Sequence, residues 1–140
     1  MMLALIRRLT FAGVLIATVV LFGTSLPTWW GGHFGGYRLL AHMAASGVVV
    51  IGLPLYAILR WTDWLSAPIP TRGSAWTFWA LILSGFLTIA SMYACMMPST
   101  TTSWMVALID FHGWIGATMA VAAIAHLATL RRVDPKQSAT

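Results

Sequence analysis

At 140 residues, 59% hydrophobic, 8% charged and with a mean hydropathy of +0.84, the chain has more apolar surface than a water-soluble core of its size could bury. This excludes a soluble catalytic domain and leaves room for one membrane domain. A net charge of +5 would point to nucleic acid in a soluble protein, but here the cations stand at the ends of apolar runs, where they act as topology signals. No nucleic-acid partner is expected. The single cysteine, Cys95, excludes an intrachain disulfide and any CxxC motif.

Four apolar stretches are each near the roughly 20 residues that cross about 30 Å of hydrocarbon, so the sequence predicts an all-α integral membrane four-helix bundle over 1–132 and a tail over 133–140. The first span, about 9–26, follows Arg7 and Arg8. A basic start before an apolar run also describes a secretory signal. This tract has no convincing A-x-A cleavage site and is long enough to span, so it reads as a retained signal-anchor helix. Residues 29–38 form a glycine-rich, aromatic loop suited to the membrane interface.

The second span, about 39–59, has His42 near its start, Pro54 near its end and Arg60 as its stop; Pro54 should kink it. After the longest loop comes the third span, about 76–97, which ends in a cluster of Met92, Cys95, Met96 and Met97. A short interfacial segment over 103–109 leads to Asp110, expected to cap the fourth span, about 111–130, which Arg131 and Arg132 close.

Antiparallel spans put Arg7, Arg8, Arg60, Arg72, Arg131, Arg132 and Lys136 on one side and Arg38 alone on the other. The positive-inside rule then makes both termini cytoplasmic and turns the loops holding His33 and Pro98 outward, to the periplasm if the membrane is a bacterial inner membrane.

The fourth span carries His112 and His126, fourteen positions apart, with no other ionisable side chain inside it. Fourteen residues are just short of four helical turns, so both rings share a face about 21 Å apart. Between them on that face lie Gly116, Met119 and Ala123, mostly small, against which a flat ligand could rest. Depth pairs histidines across helices: His42 lies 18 residues before Arg60 and His112 lies 19 before Arg131, about 27 to 29 Å from each anchor. Two imidazoles at one level on spans running in one direction can ligate a single haem iron. Arg38, one turn outward of His42, suits a haem propionate.

These residues resemble the bacterial cytochrome b561 family of four-helix membrane cytochromes, which bind b-type haem and exchange electrons with quinone. The fourth helix of that family carries two histidines fourteen apart, as His112, followed by Gly116, and His126 do here; its second helix opens on a ligand histidine and ends in arginine, as His42 and Arg60 do. The resemblance implies haem b on His42 and His112, and a second haem on His126. It also implies ubiquinone or menaquinone as substrate and another redox subunit or a periplasmic electron-transfer protein as partner. The family's first helix supplies a histidine soon after its basic start; here Thr10 or Phe11 fills that place.

Each motif has a plainer reading. His42 and His112 would cap helix ends or bond across an interface, and His126 would bond a carbonyl or Tyr56, which stands fourteen positions after His42. Arg38 would snorkel to lipid headgroups, and the methionines would be apolar filling. Two other function classes follow: a haem-free anchor or assembly subunit of a larger complex, and a copper-handling membrane protein using the soft sulfur ligands near His33 and Met105.

Overall fold

A computed structural model describes residues 2–33, 35–66 and 72–133. Each expected span is a continuous helix: α1 (Met2–Ser25), α2 (Gly36–Ser66), α3 (Arg72–Cys95) and α4 (Thr102–Val133). A 3-10 turn over Leu26–Trp30 joins the first two. All four helices are long and apolar enough to cross a membrane. Mid-helix side chains such as Ile16, Ile51, Leu83, Val121 and Ile124 are exposed, which fits contact with lipid tails rather than water. The protein is a multi-pass, all-α membrane bundle. The expected tail beyond residue 133, and part of the loop between α2 and α3, lie outside the described residues.

The helices outrun the expected spans, most clearly in α4, whose first turns take in the segment over 103–109. That segment has no glycine or proline to stop a helix. Asp110 is therefore an exposed residue inside α4 and not its cap. Thr101 holds the cap position, its carbonyl accepting from the Met105 amide at 2.9 Å and its hydroxyl oxygen from the Trp104 amide at 3.5 Å. α3 stops at Cys95, where the Met96 and Met97 amides donate to the carbonyls of Tyr93 and Ala94 in the tightened final turn before Pro98. Pro54 sits within α2, which continues through it.

The helices pack as two antiparallel hairpins, α1 with α2 and α3 with α4, and the ring closes more lightly through α1–α4 and α2–α3. α2 and α4 are thus diagonal partners that face each other across the bundle axis. Lipid tails give helices no hydrophobic reason to associate, so close approach depends on small residues and van der Waals packing. Gly52 of α2 and Gly85 of α3 meet that need: a Cβ on Gly52 would stand 2.9 Å from Val14 Cγ2, and one on Gly85 would collide with Leu53. Both neighbours are buried core residues. Gly85→Ala should overpack the core and cost about 1–3 kcal/mol. Thermal unfolding in detergent checks this, with Gly116→Ala as the tolerated control, because a Cβ there meets nothing nearer than 3.9 Å.

Candidate haem site

The lightly closed side of the ring leaves a cavity of about 420 Å³ toward the loop end, reached by both hairpins and the 3-10 turn. Its volume is in the range of small-molecule and cofactor sites, about 300–1,000 Å³, and its wall is mostly apolar. His42 from α2 and His112 from α4 both line it, so the structure brings the diagonal pair to one space. Gly116 and Gly113 line it as well, which keeps the α4 wall thin.

Hydroxyls on the neighbouring helices orient the two rings. Thr24 Oγ1 of α1 lies 2.9 Å from His42 Nδ1 and donates its own proton to the carbonyls of Val20 at 2.8 Å and Leu21 at 3.0 Å. The hydroxyl and the ring thus share one interhelical bond at Nδ1. Ser91 of α3 repeats the arrangement, donating to the Thr88 carbonyl at 2.8 Å while His112 Nδ1–H donates to Ser91 Oγ at 3.0 Å. That N–H also reaches the Thr88 carbonyl at 3.0 Å. A carbonyl can only accept, so the bond to Thr88 puts the hydrogen of His112 on Nδ1 and its basic lone pair on Nε2, and Thr24 engages the same nitrogen of His42.

His126 is different. It is fully buried, and both ring nitrogens are engaged: Tyr56 Oη lies 2.7 Å from Nε2 and Thr77 Oγ1 lies 3.0 Å from Nδ1. Phe11 meets the ring edge-on with centroids 5.4 Å apart, and Phe78 lies against it at 6.0 Å. Phe11 also packs on Tyr56 at 5.0 Å. The α1 position at this level is filled by a phenyl ring, and Tyr56 bonds the nitrogen a metal would need. The residues around His126 thus do not fit a second haem, and the hydrogen bond to Tyr56 is the alternative realised.

Around His42 and His112 the fit is better. Bare metal ions need several protein ligands, and among the described residues no group of three or more His, Cys, Asp and Glu side chains is placed to hold one. Haem iron needs only two axial ligands beyond the porphyrin nitrogens, and the cavity offers two imidazoles with their Nδ1 atoms tied back. Arg38, however, is exposed and not part of the cavity wall; its Nη2 donates to the His33 carbonyl at 2.9 Å. The guanidinium thus ties to the loop before α2 through one exposed bond. Of the sulfur cluster, Met92 and Met96 reach the cavity, joined by Met43, while Cys95, Met97, Met105 and His33 do not.

Sequence reasoning missed Thr24, Ser91 and Trp29. Trp29 lines the cavity and packs on Trp114 of α4 with centroids 5.4 Å apart. Gly31, in the left-handed region with φ 78°, ends the 3-10 turn that carries it. No family model, curated protein or solved structure matches the chain.

Proposed function

We propose that the protein is a membrane-bound b-type cytochrome that carries electrons through haem held between His42 and His112. The single observation behind this reading is the diagonal imidazole pair in one apolar cavity, each ring fixed by a hydroxyl from the adjacent helix. Bound there, haem iron would cycle between ferric and ferrous states and so accept and release one electron at a time. The chain's own residues supply the rest. His42 and His112 would hold the group through their imidazoles, Gly113 and Gly116 would leave room for a flat ring, and the apolar wall would exclude water and help set the potential.

A second apolar pocket of about 390 Å³ between α1 and α4 shares Thr18, Phe22, Trp29 and Ala117 with the first. Such a groove suits a lipophilic electron carrier arriving from the bilayer, which supports ubiquinone or menaquinone as donor or acceptor. The excess of arginine at the end bearing the termini supports cytoplasmic termini in a bacterial inner membrane, with the cavity toward the periplasm and a redox subunit or periplasmic electron-transfer protein as partner.

A reduced-minus-oxidised spectrum of protein purified after expression with ample haem supply tests the proposal: a sharp α-band supports it, and protein without haem favours the anchor or assembly role. The hydroxyls offer a finer test. Thr24→Val and Ser91→Ala should keep the haem but shift its midpoint potential, because each removes the hydrogen-bond partner that orients a ligand ring, and weaken haem affinity roughly 10- to 100-fold. Ser91→Ala should have the smaller effect, since the Thr88 carbonyl still accepts from His112.

A further inference from the structure

The bundle holds two cross-diagonal rungs, His42 with His112 and Tyr56 with His126, each pair separated from the other by fourteen residues on both α2 and α4. The rungs are therefore about 21 Å apart along the axis. The first opens into a cavity, while the second is shut by the 2.7 Å Tyr56–His126 bond. Between them, among the described residues, lie apolar core residues and no titratable side chain: Val14, Leu53, Leu81 and Ala123 are buried, and Val49 and Met119 are buried where they meet the cavity.

Resting on the haem reading above, we infer that this chain is a one-haem carrier that works from one side: electrons enter and leave at the loop end, and the end bearing the termini is an insulating plug. Electron tunnelling falls off exponentially with distance, so a pathway across the whole bundle needs a second redox centre near the far end. Here the position for one is occupied by Phe11, Tyr56 and His126 in mutual contact. Thr77 adds to the closure, because its hydroxyl takes the remaining His126 nitrogen and lies 3.2 Å from Thr129 Oγ1. In balance, a one-electron donor at the loop end is oxidised as iron is reduced, and a one-electron acceptor at the same end reverses the change. A redox protein would serve as a one-electron donor, or a lipophilic hydroquinone would give its two electrons one at a time to two successive ferric haems and release two protons at the loop end as it becomes quinone. A second redox protein would take one electron per turnover as acceptor.

The test uses the full chain, loaded with haem and reconstituted into liposomes. Haem per polypeptide is first counted as the pyridine haemochrome. The protein is then reduced, and ferricyanide, which does not cross the bilayer, is added outside. In a parallel sample an impermeant maleimide on Cys95, at the loop end, gives the fraction of chains with that end outward. The expected result is one haem per chain, with the rapidly oxidised fraction equal to the maleimide-reactive fraction and the remainder oxidised only when ferricyanide is also inside. Two haems per chain, or rapid oxidation of the whole pool from outside, overturns the one-sided inference and leaves the cytochrome assignment intact. A haem count of zero overturns both.

Discussion

His42→Ala and His112→Ala should each purify as a folded bundle that has lost the haem α-band. Both rings are only half-buried at the cavity wall, and neither belongs to the packed core. Removing one therefore enlarges a space that already exists. The fold should lose little, since the imidazole takes with it the bond to Thr24 in one variant and the forked bond to Ser91 and Thr88 in the other, and such bonds in membrane bundles average about 0.6 kcal/mol. On the proposed haem reading, by contrast, each variant would lose one of the two imidazoles that would hold the group, and the haem spectrum with it. Circular dichroism and gel filtration should match the parent, while the difference spectrum collapses in both variants. If one variant kept a normal α-band, the diagonal pairing of His42 with His112 would be wrong.

Most of the fold was legible in the sequence because the membrane imposes it. Four apolar runs with arginines at their ends leave few other solutions, and α1 to α4 follow those runs. The depth argument also placed His42 and His112 at one level, since helical rise is nearly constant. What was not legible depends on helix rotation and contact. Arg38 sits one turn from His42 in sequence, yet its guanidinium takes the His33 carbonyl, a choice made by the loop's path and not by spacing. Thr24 and Ser91 look like any hydroxyl in a membrane helix until α1 and α3 are rotated against α2 and α4. Asp110 reads as a cap because the apolar run begins directly after it, yet nothing in 103–109 breaks a helix, and α4 starts at Thr102. The fourteen-residue spacing from His42 to Tyr56 was visible, and its partner followed once both rungs shared that spacing.

His126→Ala should reverse the pattern of the cavity variants, destabilising the fold while leaving the haem at the loop end. His126 has no solvent exposure, and its removal leaves a cavity among Phe11, Tyr56 and Phe78 while taking a partner from two hydroxyls at once, Tyr56 Oη and Thr77 Oγ1. Large-to-small core changes cost about 2–5 kcal/mol and an unpaired buried polar group about 1–3 kcal/mol. Thr77 can still donate to the Gly73 carbonyl at 3.1 Å, so the loss falls mainly on Tyr56, and we expect about 3–5 kcal/mol in all. Tyr56→Phe isolates the hydrogen bond alone and should cost about 1 kcal/mol, since the ring still packs on Phe11. Unfolding in detergent, followed by helical signal and by haem absorbance together, separates these effects. In His126→Ala the midpoint should fall sharply with haem content per folded chain unchanged. Were haem to be lost in proportion to a ligand's removal instead, His126 would be part of a haem site and the closed rung would have to be abandoned.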